Sequence, residues 1–236
     1  EDYNDLLELA RKELIKMEDD HLSMIQIHYL YTKSFFAPVE PDKDLKEAFA
    51  YFYDQAETYW LVKGEYAQAM LAITLNRSDD HDIAAKIIKS LSNRAIRSKE
   101  LGMYWARNRY GYYWYQAPIE TQAMLIEAFH EVTNDTAAIE EMKIWLLRNK
   151  QTSDWKTTKA TVAACYALIL RGINQITETE LLEVEIGGEA LSSLKDIEAE
   201  AGTGYVKTNF VRDEIDPEMG NIKVHNPNKG VAWGAA

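Results

Sequence analysis

Apolar residues along the first two-thirds of the chain recur every three or four positions, the period of a helix with one buried face. Leu6, Leu7, Ala10, Leu14 and Met17 make one stripe, and Met24, Ile27, His28 and Tyr31 make a second that stops before Pro38 and Pro41. Residues 42–60 predict a third helix with Leu45, Ala48, Phe49, Phe52, Ala56 and Tyr59 on one face. Ala67, Met70, Leu71, Thr74 and Leu75 mark a fourth. Ser78-Asp79-Asp80 is a capping sequence for a fifth, carrying Ile83, Ile87, Ile88, Leu91 and Ile96. Pro118 suits the first turn of a sixth, with Glu120 near its positive end. Asn134 or Asp135 caps a seventh with Ala138, Met142, Trp145 and Leu146 on its face, and Thr157 or Thr158 caps an eighth.

That eighth helix has no polar face. Ala160, Val162, Ala163, Ala164, Cys165, Tyr166, Ala167, Leu168, Ile169 and Leu170 follow one another with a single interruption, at Thr161. A helix apolar all round is expected to be enclosed by other helices, and about fourteen residues fall short of the roughly 20 that span a bilayer. The helices come in pairs with mostly short links, which predicts an array of antiparallel helical hairpins in a curved layer. No strict residue repeat recurs, which argues against a tetratricopeptide array. One long non-helical stretch interrupts the series: residues 102–117, GMYWARNRYGYYWYQA, with seven aromatic residues.

After about Ile176 the period changes to two. Leu182-Glu-Val-Glu-Ile alternates and Gly187-Gly188 turns; Gly204-Tyr-Val-Lys-Thr-Asn-Phe alternates again. Asp216-Pro-Glu-Met-Gly220 is a turn, Ile222-Lys-Val-His-Asn a strand, Pro227-Asn-Lys-Gly230 a turn and Val231-Ala-Trp-Gly a last strand. Residues 176–236 therefore predict an antiparallel β segment that is incomplete as a sheet and marginal by itself. The chain opens on Glu1 rather than Met and ends directly after the Trp233 strand, so a processed or excised piece of a longer protein is expected.

Composition narrows the function classes. Nearly half of the 236 residues are hydrophobic, enough for a real core, and the net charge of −12 disfavours nucleic acid and anionic membranes as partners. The single cysteine, Cys165, excludes an internal disulfide. Its neighbours Ala164, Tyr166 and Leu168 offer no base and no positive charge, so a buried, unreactive thiol is expected. His21, His28, His81, His130 and His225 never pair at zinc-ligand spacing, and Ser78-Asp-Asp-His-Asp82 lacks the spacing and glycine of a calcium loop. No nucleophile elbow, phosphate loop or dinucleotide fingerprint is present. Asn76-Arg-Ser and Asn134-Asp-Thr match a glycosylation sequon that is too short to be specific. No catalytic, cofactor-binding or metal-binding residue is thus assigned.

Pro118-Ile-Glu-Thr-Gln-Ala, Trp145-Leu-Leu, Asp154-Trp-Lys-Thr-Thr-Lys-Ala-Thr161 and the closing Ile222-Lys-Val-x-Asn…Ala232-Trp233-Gly234 together give the chain a family likeness. It resembles the bacterial α-2-macroglobulin family, specifically over residues 100–236 and by helical pairing alone before that. The resemblance implies a mainly α protein. Residues 1–175 would be an α/α toroid-like array of helix hairpins from the thioester domain, and residues 176–236 part of a β-sandwich domain. It further implies a non-enzymatic, cofactor-free piece of a protease-trapping inhibitor in the periplasm or cell envelope. The partners would be target proteases and the remaining strands and domains of the parent chain. The family thioester needs Cys-x-Glu-Gln, whereas Cys165 is followed by Tyr-Ala-Leu, so none forms here. Thr158-Lys-Ala-Thr161 stands where many relatives carry Thr-Gln-Asp-Thr.

Two alternatives stay open. A toroid-type carbohydrate-active enzyme, lyase or hydrolase, would use Tyr104, Trp105, Tyr112, Tyr113, Trp114 and Tyr115 with Arg107 and Arg109 as a sugar cleft. The absence of Asp and Glu from that stretch argues against hydrolysis, and a packed connection between helices is the stronger reading. A helical-repeat scaffold for a protein partner is the other alternative.

Overall fold

Helix α4 (Glu65–Arg77) is the element around which the helical part is built: every residue from Ala67 to Leu75 is buried. The computed structural model of the chain describes residues 2–36, 43–108, 117–150, 155, 157–170, 183–194, 198–199 and 206–227. They fall in two compact units, Glu1–Leu168 and Ile169–Ala236. The first is helical and the second carries small antiparallel sheets, so the chain is mainly α.

The first unit follows the predicted helices closely. Helix α1 is Asp2–Arg11 and α2 is Met24–Lys33, which Ser23 opens with a capping box: Ser23 Oγ accepts from Ile25 N at 3.3 Å and Gln26 Oε1 accepts from Ser23 N at 3.1 Å. Helix α3 (Lys43–Tyr59) runs into a short 3₁₀ turn, and α5 (His81–Arg94) is capped by Asp80, which accepts from Ile83 N at 3.2 Å. Two short strands, β1 (Ile96–Ser98) and β2 (Gly102–Tyr104), pair antiparallel before α6 (Pro118–Val132). Asp135 caps α7 (Thr136–Arg148), and Thr157 accepts from Ala160 N at 3.1 Å in the first turn of α8 (Thr158–Ile169).

Helix α4 packs on α2, α5 and α6, while α6 packs on α4, α5 and α7. Ser34 follows α2 and hydrogen-bonds Arg77 at the C-terminal end of α4 at 3.1 Å, while His28 meets Tyr66 at its N-terminal end. Arg77 in turn pairs with Glu131 at the C-terminal end of α6. Helices α2, α4 and α6 therefore run parallel, each separated in sequence by an intervening outer helix.

Three expectations are corrected. Helix α8 is not the enclosed one: only Ala160, Ala164 and Ala167 are buried, Val162 is 64% exposed, Tyr166 is 54% exposed, and Cys165 is exposed rather than buried. Apolar composition alone does not bury a helix. Here the small alanines face inward with Leu168 partly buried beside them, while Val162, Cys165 and Tyr166 face out. The enclosed helix is α4, whose polar Gln68 is satisfied inside: it donates to Leu61 O and Lys63 O and accepts from Arg94. Second, the first stripe ends early. Glu13 takes φ +58°, Leu14 N bonds back to Leu9 O, and the chain leaves the helix before Leu14, which is 67% exposed. Third, Ile96 belongs to β1 rather than to α5, since Ala95 is already extended.

In the second unit β3 (Glu183–Ile186) pairs antiparallel with β7 (Ile222–His225). It also pairs with β4 (Glu189–Ala190) through Gly187 and Gly188, whose φ values of +62° and +90° suit a tight hairpin. A short helix α9 (Leu191–Leu194) follows, and β5 (Glu198–Ala199) pairs with β6 (Val206–Lys207). The Asp216–Gly220 turn is a 3₁₀ helix that Asp216 caps, accepting from Glu218 N at 2.9 Å. The expected Val231-Ala-Trp-Gly strand lies outside the described residues, as does the 175/176 boundary. All of β7 is exposed, including Ile222 and Val224.

Candidate functional site

The polar residues that the parallel helices present to one another form a partly buried cluster of charge. Helical spacing assembles it. His28 and Tyr31 are three apart on α2, and Tyr66 and Arg77 are eleven apart on α4. Glu120, Glu127 and Glu131 follow at intervals of seven and four on α6. Each set falls on one face of its helix. Tyr31 Oη donates to Glu127 Oε1 at 3.0 Å. Arg77 grips Glu131 with two nitrogens at 2.7 and 2.6 Å and stands 3.9 Å from Glu127. The Arg77 guanidinium also lies 4.0 Å over the Phe35 ring.

Burial governs the electrostatics. Glu127 is only 7% exposed. Desolvation pushes its carboxyl above the usual range, although the Tyr31 hydroxyl and the Arg77 charge pull it back. The Tyr31 phenol is raised by burial and then by the Glu127 charge. Tyr66 is raised by burial and then by Glu120 and Glu127. The His28 imidazole is lowered by burial and then by Lys159 of α8. Tyr166 of α8 is raised by burial and then by Glu127. The cluster thus combines a carboxyl biased toward its neutral form, three tyrosines and a clamped guanidinium.

Replacing Glu127 by glutamine tests this electrostatic account. The amide keeps an acceptor for Tyr31 and removes the buried charge. A carboxyl raised in the folded state contributes stability that is complete below its unfolded value, about 4.3, and is lost as pH rises through the folded value. The Tm of Glu127→Gln relative to the parent should therefore climb between pH 4 and pH 8 in thermal scans. Parallel Tm profiles for the two proteins would show that Glu127 is not strained by burial.

The residues behind the family likeness sit elsewhere and act as joints. Gln122 is fully buried on the other side of α6, where its amide donates to Met103 O at 2.8 Å and Met142 O at 3.3 Å, linking β2 and α7. The Trp155 indole donates to Leu146 O at 2.8 Å, and Trp155 N donates to Thr161 Oγ1 at 3.0 Å. The aromatic stretch is described only as far as Asn108. Within that part Tyr104 stacks on Trp145, and Trp105 is buried against Phe129 with its indole donating to Leu91 O at 3.0 Å. Arg107 is exposed. Arg109, Tyr112, Tyr113, Trp114 and Tyr115 lie outside the described residues.

Sequence patterns single out none of Tyr31, Tyr66, Arg77, Glu127 or Glu131. Tyr31 and Glu127 are 96 positions apart, and only the packing of α2, α4 and α6 joins them. The available signal was the pair Glu120 and Glu127 set among Ile119, Ala123 and Ile126 on the buried face of α6. Of the other histidines, His21 meets Lys16 O and His81 meets Asn76. Among the described residues no group of three or more His, Cys, Asp or Glu is placed to hold a metal ion, and no helix is long and apolar enough to cross a membrane. No family model matches the chain, and no curated protein matches it.

Proposed function

We propose that this chain is a non-enzymatic piece of an α-2-macroglobulin-like protease-trapping inhibitor of the periplasm or cell envelope. Residues 1–175 would belong to an α/α toroid-like array and residues 176–236 to a partial β-sandwich. The observation that carries this reading is the work done by the residues of the likeness. The Gln122 amide nitrogen, the Trp155 indole and the Thr161 hydroxyl bond to backbone atoms, fastening connections to helices. That is expected of a framework domain. The parallel run of α2, α4 and α6 with helices between them also suits a hairpin array. The partners are target proteases, engaged through the full-length protein.

The test is to incubate the full-length gene product with a panel of endoproteases. A trap should be cut at one exposed segment and then hold the protease, which keeps activity on small peptides and loses it on protein substrates. Release of a protease fully active on proteins would overturn the reading.

A toroid-type carbohydrate-active enzyme is the second reading. It is favoured by Glu120 and Glu127 on one face of α6, beside the tyrosines that sugar rings stack on. Polysaccharide turnover by the purified chain, abolished in Glu127→Gln, would select it.

A further inference from the structure

A cleft opens between α1, α2 and α3, and none of the residues that line it belongs to the charged cluster. It encloses about 280 Å³. That is just under the span of about 300–1,000 Å³ that suits drug-sized ligands, so it matches a molecule with one ring or two fused rings. Helical spacing builds the walls. Phe49 and Phe52 are three apart on α3 with Leu45 one turn earlier, and Tyr29 follows Ile25 by four on α2. The rings brace one another. Tyr29 meets Phe49 edge-on with centroids 6.4 Å apart, Phe49 lies 4.9 Å from Tyr53, and Tyr3 of α1 lies 5.4 Å from Tyr51. The Tyr51 hydroxyl is tied in turn to Met17 O at 2.9 Å. Leu30 and Phe52 are buried at the floor, whereas Ile25, Tyr29 and Leu45 are exposed at the mouth. Apolar surface left in water at such a cleft is surface that a ligand can cover favourably.

A polar corner gives the cleft a direction. Asp2 and Gln26 supply it. The Gln26 amide donates to Asp2 Oδ2 at 2.7 Å and accepts from Ser23 N at 3.1 Å. Gln26 is therefore engaged at both ends, and it fixes the carboxylate beside the rings. A carboxylate has about four acceptor positions, so the bond from Gln26 leaves Asp2 able to take a donor from a ligand. Among donors, an ammonium gains most here, through a charge-assisted hydrogen bond to the carboxylate and attraction to the aromatic faces. The same carboxylate, in a chain of net charge −12, repels an anionic ligand.

We propose that the α1–α2–α3 cleft binds a small aromatic amine, with its ring seated among Tyr3, Tyr29, Phe49 and Phe52 and its ammonium on Asp2. The aromatic walls supply affinity for the ring, and the Asp2 carboxylate selects the amine over neutral and acidic analogues of the same shape. This site does not depend on the chain being part of a protease trap, and either reading can fail without the other.

Titration calorimetry of the full chain tests it, with 2-phenylethylamine, 2-phenylethanol, 3-phenylpropionate and n-butylamine as probes. 2-Phenylethylamine should bind saturably at one site per chain, about tenfold tighter than the alcohol, which lacks the charge, and than n-butylamine, which lacks the ring. 3-Phenylpropionate should not bind. Asp2→Asn should bring the amine down to the affinity of the alcohol and leave the alcohol unchanged. Glu8→Gln, at an exposed carboxylate of the same helix, should change neither. Ala48→Phe fills the cleft and should abolish binding of both. No saturable binding of the amine, or equal affinity for amine and alcohol, would overturn the proposal. So would an equal loss in Glu8→Gln, which would reveal diffuse attraction to an acidic chain. Nuclear Overhauser contacts in the unmutated protein add a readout free of folding effects. The ring protons of 2-phenylethylamine should reach the Tyr3, Tyr29 and Phe49 rings, and contacts confined to other aromatic residues would reject the site.

Discussion

Alanine in place of Gly102 is expected to destabilise the helical unit by on the order of 3–5 kcal/mol, the sum of a left-handed backbone penalty and a forced overlap in a packed seam. Gly102 opens β2 with φ +75°. A β-carbon there would lie 2.1 Å from Glu141 O, 2.9 Å from Ile144 Cβ and 3.1 Å from Trp145 N. Two of those atoms are backbone of α7, so no side-chain rotation relieves the overlap and the strand must lift from the helix. That seam is also where Arg97 of β1 pairs with Glu141 at 2.6 Å and where Gln122 reaches both Met103 O and Met142 O. Gly64→Ala is the control. Its φ is −70° and nothing stands within 4 Å of the added carbon, so its stability should move by less than about 1 kcal/mol. Urea denaturation midpoints for the two variants decide the matter. A Gly102→Ala midpoint equal to that of the parent would mean that β2 does not lie on α7 as described.

The same seam shows what the sequence makes legible. Local chemistry reads well: Asp80, Asp135 and Thr157 cap the helices they precede, and Gly187-Gly188 turns the β3–β4 hairpin. These are effects of neighbours in sequence. Burial reads less well. Helix α4 looks amphipathic because Gln68 and Thr74 interrupt its apolar run, yet both are buried, Gln68 paired with backbone carbonyls outside its own helix. Helix α8 looks enclosed because it lacks polar residues, yet Val162, Cys165 and Tyr166 face outward. Composition fixes what a helix tolerates, while contacts with distant elements fix what it receives. The Tyr31–Glu127–Arg77–Glu131 cluster belongs wholly to that second kind. Its members sit on three helices, and its defining property, a carboxyl raised by burial, exists only once α2, α4 and α6 are packed.

Trp105→Ala should cost about 3–5 kcal/mol, and Trp105→Phe about 1–2 kcal/mol. The difference separates two jobs of one residue. The indole is 2% exposed and meets the Phe129 ring edge-on at 6.2 Å, so alanine opens a cavity between α6 and the chain that follows β2. Phenylalanine refills most of that space but strands Leu91 O, which accepts from the Trp105 indole at 3.0 Å near the end of α5. A tryptophan serving as a sugar platform would behave in the opposite way: its loss would leave the denaturation midpoint in place and abolish glycan affinity. Guanidinium unfolding of both variants, set beside glycan binding of the parent chain, distinguishes these roles. Unchanged unfolding in Trp105→Ala would remove Trp105 from the core and would return the aromatic stretch to the list of candidate binding surfaces. The buried indole and its bond to Leu91 O predict instead that the alanine variant unfolds first, the phenylalanine variant next and the parent last.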